Sequence, residues 1–537
     1  MRRLFSISLI LLILPLASRA QEKDWGRVSG SFESNSILYM DDSVLGEREN
    51  AFGSNNYLKL DWLRGNLSAG LAAEYYPEPL SGYPDALKGA GLTGLYAAWN
   101  PGLVEVRAGS FYEQIGSGLL LRSWEDRELG INNPLVGGNV SFRTRNNGLR
   151  IKILGGAPLY CLRLSDSVVS AGDVSVDIPS IFGVESAHSF RIEGSVMDKA
   201  LRSEEENIAF LASSSGFSLP KNILSWSGRL QYSYSGLSLK AEYVGKGADF
   251  TAEHQKGGRE KYDLRGGSAA LAEINYAIGS FSASVIYRRL ENMLSPIFQT
   301  TGSRIPANTL NYLPSLCMQQ TYLLAGLNPY VTYADGESGF QGDLYYSFKK
   351  GTALGGRYGM KVHVGGSWID ALPSALPNRD EPYLAYRDIN VDIEKVWSRK
   401  FRTVFFVSIQ ENSPTHGNRK ATDAQNVFVV DGLYKFTKKV AARLELQYLY
   451  SEELTKDWMA AVAEVTFAPR WSISMSDMYN HGSTGTHYYQ GGVAYSLSGL
   501  NVSLNFGRTR EGYVCSGGVC RWQPAYKGAN LRVQWAF

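Results

Sequence analysis

Six histidines and four cysteines are the side chains best suited to nucleophilic, acid–base or metal chemistry in this 537-residue chain. Nucleophilic catalysis needs a Ser or Cys beside a His that an acidic group orients. None of His188, His254, His363, His416, His481 and His487 stands in a local motif of that kind. No HExxH, Walker A, GxGxxG or GxSxG segment occurs where a helix or strand–helix turn would make it work. His481 and His487 are spaced closely enough to share a metal, but solvated loop histidines explain them more simply. The sequence therefore argues against an enzyme and calls for no cofactor. Cys515 and Cys520 enclose Ser516-Gly517-Gly518-Val519, a spacing that closes easily into a small disulfide loop. Cys161 and Cys317 lie far apart in irregular stretches, and nothing supports a second bridge.

The densest collection of reactive side chains lies between Tyr112 and Asn133. It gathers Tyr112, Glu113, Gln114, Arg122, Trp124, Glu125, Asp126 and Arg127 with Glu128, Gly116, Gly118 and the apolar run Leu119 to Leu121. The segment is too long for a turn and too apolar for a free loop. Its meaning depends on the scaffold that carries it.

Composition bounds that scaffold. The chain is 44% hydrophobic, 12% aromatic and 20% charged, with 56 Gly and 32 Tyr, which excludes a disordered chain. Mean hydropathy is −0.19, and no apolar run of helix-spanning length follows the first twenty positions, which excludes a helical membrane bundle. Residues 1–20 read as a secretory signal peptide. Arg2 and Arg3 form the positive end, Leu9 to Leu16 the apolar core, and Ser18-Arg19-Ala20 the small-x-small cleavage site. Its removal takes three arginines from the 54 basic residues and leaves them equal to the 51 acidic ones. A neutral mature chain has no electrostatic case for binding nucleic acid. No linker divides residues 21–537, so one continuous architecture is expected.

That architecture is written in period-2 alternation. Leu531, Val533, Trp535 and Phe537 alternate with Asn530, Arg532, Gln534 and Ala536, and the chain stops on the aromatic residue. The same pattern recurs at Leu500 to Phe506, Trp471 to Met475, Met459 to Phe467 and Ala442 to Tyr450. Tight turns such as Arg64-Gly65-Asn66, Ser235-Gly236, Lys349 to Thr352 and Ser498-Gly499 alternate with long polar stretches. The latter include Asp41 to Phe52, Lys246 to Gly266, Asn292 to Leu316, Glu411 to Gln425 and Thr509 to Tyr526. A soluble sandwich has no reason to keep this rhythm. It fits an all-β chain forming a single transmembrane antiparallel barrel of about 24 strands (22–26), with short periplasmic turns and long extracellular loops. The aromatic C-terminal strand, Leu531, Val533, Trp535 and Phe537, matches the signal by which the barrel-assembly machinery inserts such chains. Trp99, Tyr287, Trp397 and Trp458 are candidates for an aromatic girdle at the lipid interface.

Elimination places the strand charges inside. Arg27, Glu33, Lys59, Glu74, Lys152, Glu242, Asp343, Asp392, Arg443 and Glu445, with His363, fall on the polar face, because charge facing lipid costs several kcal/mol at mid-membrane. Both signs are present, which argues against a filter for ions of one sign. In this setting the Tyr112–Asn133 segment has two readings of equal weight: a fold-in that constricts the lumen, or a surface loop or extra-long strand pair whose charges pair with one another.

Three stretches carry a resemblance: Gly26-Arg27-Val28-Ser29-Gly30-Ser31-Phe32-Glu33, the run from Phe111 to Gly130, and Asp335-Gly336-Glu337-Ser338-Gly339-Phe340-Gln341 continuing to Lys349-Lys350-Gly351. They resemble a Bacteroidetes-type outer-membrane barrel family of unknown function. The resemblance implies a porin-like fold in the outer membrane and no reaction. The leading expectation is a channel for small solutes narrowed near residues 112–133. The alternative is a non-conducting structural or secretion-associated component. Expected partners are outer-membrane lipid, the assembly machinery and other envelope proteins.

Overall fold

A computed structural model describes residues 25–47, 50–201, 206–254, 260–298, 308–375, 381–414 and 422–537. The expected signal peptide, residues 1–20, and His416 lie outside the described residues. The rest is a closed antiparallel barrel of 24 strands. In chain order the strands are β1 (Arg27–Met40), β2 (Phe52–Arg64), β3 (Leu67–Glu78), β4 (Gly89–Trp99), β5 (Val104–Phe111) and β6 (Leu135–Arg143). There follow β7 (Leu149–Tyr160), β8 (Val168–Asp177), β9 (His188–Ala200), β10 (Asn222–Tyr234), β11 (Leu237–His254) and β12 (Glu260–Ile278). The third quarter is β13 (Phe281–Glu291), β14 (Gly336–Phe348), β15 (Met360–Ala371), β16 (Tyr383–Val396), β17 (Phe401–Asn412) and β18 (Asp423–Lys435). The last is β19 (Val440–Tyr450), β20 (Trp458–Phe467), β21 (Trp471–Asn480), β22 (Thr486–Leu497), β23 (Leu500–Thr509) and β24 (Tyr526–Ala536).

Each strand pairs with its neighbour in sequence, and β24 returns to β1 in a register running from Ser31↔Ala536 to Met40↔Lys527. Phe537 extends the seam by two backbone bonds with Gly30, each 2.9 Å. A Cβ at Gly30 would stand 2.5 Å from the Phe537 ring, so glycine is what lets the terminal aromatic lie across the first strand. Closure matters because an unpaired edge would expose a row of N–H and C=O groups.

Alternation holds along the wall. Phe405, Val407 and Ile409 of β17, Phe428 and Val430 of β18, Leu444 and Leu446 of β19, and Ile473 and Met475 of β21 are all exposed on the outer face. An apolar belt of this extent is far beyond what a soluble surface carries. Among the described residues no helix is long and apolar enough to cross a membrane. Trp99, Tyr287 and Trp397 are exposed, as girdle residues would be. Trp458 is not: it occupies an inward position, 7% exposed, and donates its indole N–H to the Thr455 carbonyl. Its parity in β20 sets it opposite to Met459, which faces out.

Two expected connections also differ. Lys246 to Gly266 is largely strand: β11 and β12 are 18 and 19 residues long and rise beyond their neighbours past a bulge between Lys246 and Asp249. Gly247 and Gly266 suggest a loop, but both lie against neighbouring backbone: a Cβ would stand 2.7 Å from the Leu224 carbonyl oxygen at the first and 3.2 Å from that of Lys246 at the second. The tight turn expected at Lys349 to Thr352 is instead a longer connection reaching Met360.

The seam is latched on the loop side. Asp42, beyond β1, pairs with Arg508 of β23 at 2.8 Å and with Lys527 of β24 at 3.4 Å. Burial alone raises the Asp42 carboxyl, but the Arg508 guanidinium and the Val44 and Leu45 N–H groups outweigh it and hold it down at about 2. A depressed carboxyl stabilises the fold above its unfolded value of about 4 and loses that contribution as pH falls through the folded value. Asp42→Asn is expected to cost about 1–3 kcal/mol at neutral pH. The temperature at which heat-modifiable gel mobility is lost should fall for the variant at neutral pH and converge with wild type in strong acid.

Candidate functional site

The inward faces change character along the barrel axis. In β17 the inward residues run from exposed Arg402, through Val404, to buried Phe406, Ser408 and Gln410. In β15 they run from exposed Lys361 to buried His363, Ser367, Ile369 and Ala371, and in β18 from exposed Lys435 to buried Val427, Gln425 and Asp423. The turn-side end of the lumen is therefore open to solvent, and the loop-side end is filled.

The filling comes from the loops. Residues 112–134, between β5 and β6, form two small ribbons, Gln114–Ile115 with Leu121–Arg122 and Glu125–Asp126 with Ile131–Asn132. Ile115 and Leu119 to Leu121 are buried against wall residues Val169, Met197, Val244 and Leu290. Residues 292–335, between β13 and β14, supply the larger part in their described portion. Leu310 and Leu313 join the first cluster, while Leu324, Ala325 and Leu327 pack on Phe406, Val427, Leu449 and Trp458 across the lumen. A hairpin, Gly512–Ser516 with Val519–Gln523, closes the set and carries the Cys515–Cys520 disulfide.

Polar groups stitch these segments together. Arg122 donates its backbone N–H to the Leu310 carbonyl at 2.8 Å, and Tyr312 donates to Gly118 at 2.8 Å. The Arg122 guanidinium lies between Trp124 and Tyr312, 4.0 and 4.1 Å from the ring centres. Asn311 donates its amide to Leu119 and Met293 carbonyls, and Arg521 donates to Glu128 at 3.1 Å. Inward wall residues hold the assembly in turn. Lys152 reaches Glu113 at 2.7 Å, Glu242 accepts from the Ser117 N–H at 2.9 Å, and Gln447 accepts from the Leu324 N–H at 2.8 Å.

The segment flagged by composition thus splits its charges between itself and the wall. Arg127 pairs with Glu125 at 2.6 Å within the segment and with Glu33 of β1 at 2.9 Å. Asp126 accepts from the Glu128 and Leu129 N–H groups, Tyr112 donates to Asn132, and Gln114 donates to Gly116. Tyr112, Glu125 and Arg127 border a cavity of about 220 Å³ with Lys59, Asp61 and Arg107 of the wall. His363 lies between Asp343 and Asp392, at 2.9 and 2.6 Å. His481 and His487 join no cluster able to hold a metal among the described residues. At the C-terminus, Leu531 is exposed, and the Trp535 and Phe537 rings lie 4.3 Å apart.

Sequence reasoning stopped the long excursion at Leu316, although it continues to Asp335, and it read the last loop only for its cysteines. A signal was available. Leu310, Leu313, Leu316, Leu324 and Leu327 are too many apolar residues for a solvated loop, and all are buried.

Two predictions test this packing. Gly116 has φ +58°, and its missing Cβ makes room for the Glu242 carboxylate. Gly116→Ala should cost about 1–2 kcal/mol in backbone strain alone. Proteolysis within residues 112–134 should accelerate while heat-modifiable mobility persists. Cys161 is buried and its thiol is pushed up to about 11, and burial also raises Cys317. Neither should react with iodoacetamide in the folded protein at neutral pH, since the thiolate is the nucleophile. Mass spectrometry should show both modified after denaturation, and Cys515 and Cys520 only after reduction.

Comparison with known proteins adds a frame without a function. No curated protein matches the sequence. Among solved structures, the translocation pore of the P pilus usher is 10% identical, with a TM-score of 0.45 over 95% of this chain and 99% of that one. A point mutant of the ferric enterobactin receptor of Pseudomonas aeruginosa is 9% identical, with a TM-score of 0.42 over 96% and 81%. A mutant Rh. blastica porin is 11% identical, with a TM-score of 0.29 over 59% and 93%. A family model described as a family of unknown function (DUF6029) matches residues 1–537, and the chain belongs to that family.

Proposed function

We propose that the chain is an outer-membrane barrel that passes small solutes through a lumen closed at rest by its own inserted loops. In this reading residues 1–20 direct export and are removed, and Leu531, Val533, Trp535 and Phe537 present the strand that the barrel-assembly machinery recognises. The apolar belt then faces lipid, the short turns face the periplasm and the long loops face outward. The observation that carries the proposal is the burial gradient. A hydrated, mixed-charge vestibule that ends at folded loops is the form of a stoppered channel, whereas a purely structural barrel has no need of a wet half-lumen. Tyr112, Glu113, Gln114, Arg122, Trp124, Glu125, Asp126 and Arg127 are the constricting residues of this proposal, joined by the described part of residues 292–335.

The density of wall-to-loop pairing favours a second reading, a non-conducting component that binds other envelope proteins. Planar-bilayer conductance separates the two. Wild type should be silent or open only briefly, and replacement of residues 112–133 and of residues 292–335, each by a short Asn-Gly turn, should give stable conductance severalfold above it. Silence from both proteins, with folding confirmed by heat-modifiable mobility, would overturn the channel and leave the binding component.

A further inference from the structure

Between residues 312–330 and the disulfide hairpin lies a cavity of about 370 Å³. We propose that it is a binding site for a neutral, polyhydroxylated solute, a saccharide of one or two rings. The proposal deepens the channel reading above by naming the class of solute, and it rests on that reading for its place in transport.

Charge, shape and an unmet amide point the same way. Among the described residues, no Asp, Glu, Lys or Arg lines this cavity. That sets it apart from the vestibule, where Lys59, Asp61 and Arg107 border the space. A ligand carrying charge would leave water for a site with nothing to pair it. Four tyrosines, Tyr312, Tyr330, Tyr386 and Tyr513, line it, and Tyr513 is 43% exposed; an aromatic ring with a polar tip is a surface on which the C–H face of a sugar ring packs. Three of them are fixed in position: Tyr312 donates to the Gly517 carbonyl, Tyr330 donates to Glu337, itself paired with Arg288, and Tyr386 is 2% exposed. Gln319 is also committed, donating to the Cys515 carbonyl at 3.0 Å and accepting from the Gly517 N–H at 3.4 Å.

Gln320 is different. Both of its amide atoms are shut away from solvent, and neither has a hydrogen-bond partner among the described residues. One amide offers a donor and an acceptor together, and a hydroxyl-bearing ligand satisfies both. A purely apolar ligand would leave both unmet. Gln320 also lines a second cavity, of about 360 Å³, which shares Gly326 with the first and extends toward Tyr488, Gln490 and Arg510. Each is at the lower end of the size range of small-ligand sites, about 300–1,000 Å³. Gln320 thus borders both chambers, with its unpartnered amide packed just behind their lining.

Isothermal titration of the full-length chain in detergent, with maltose and cellobiose as neutral probes and glucuronate and glucosamine as charged ones, tests the site. The neutral sugars should bind, and the charged ones should bind at least about tenfold more weakly. Gln320→Met keeps the volume and removes the amide, and should weaken neutral binding about tenfold. Tyr513→Ala, on the hairpin, should weaken it as well, with heat-modifiable mobility confirming that both variants fold. Absence of neutral binding to folded wild type, charged probes binding as tightly, or unchanged affinity in both variants would overturn the site. Parallel conductance keeps the two proposals apart. Binding with a silent plug-replaced barrel retains the site and sinks the channel, whereas conductance that neither sugar occupies or blocks retains the channel and sinks the site.

Discussion

Everything in this protein depends on the backbone hydrogen bond having a partner. A strand at an open edge would present unpaired N–H and C=O groups, and in a low-dielectric surrounding each would cost several kcal/mol. Pairing β24 with β1 removes the edge and makes the inside of the sheet a different place from the outside. Only then does period-2 alternation acquire meaning. One set of side chains meets the exterior, where Ile409, Leu444 and Met475 stay exposed, and the other meets an enclosed volume that must be hydrated, paired or filled.

The protein uses all three solutions in sequence along one axis. On the turn side, Lys361 and Arg402 stay wet. Farther along, inward polar groups bond to one another, as the His363 ring does to Asp343 and Asp392. On the loop side, amides such as Gln410 and Gln447 bond to the backbone of folded-in segments, which also bring leucines to meet Phe406 and Leu449. The inserted backbone needs those wall amides as much as the wall needs the leucines, since neither has enough water to satisfy it alone.

Much of the wall was legible because alternation is a local property. Leu531 and its neighbours, Ile473 and Met475, and the inward set around His363 could be placed by parity alone. Parity also explains the failure at Trp458, where a large aromatic near a strand end suggested an interface while its register put it inside. Lys246 to Gly266 failed for another reason: glycine and charge imply a loop only when no partner strand is known, and here β11 and β12 are each other's partner. The filling was the least legible part. Contacts such as Asn311 with Leu119, or Tyr312 with Gly517, join residues far apart in sequence, and no local pattern encodes them. What sequence did carry was an excess, charged and apolar residues where a solvated loop needs neither, and it was recognised between Tyr112 and Asn133 but not from Asn292 onward.

The attachment of the filling has a mechanical corollary. Residues 112–134 leave the wall at the end of β5 and rejoin it at the start of β6, and residues 292–335 do the same between β13 and β14, so all four anchor points lie on one rim. Each segment is thus tethered to the wall at both ends on the same rim. The filling is therefore attached asymmetrically along the barrel axis, with its chain connections on the loop side.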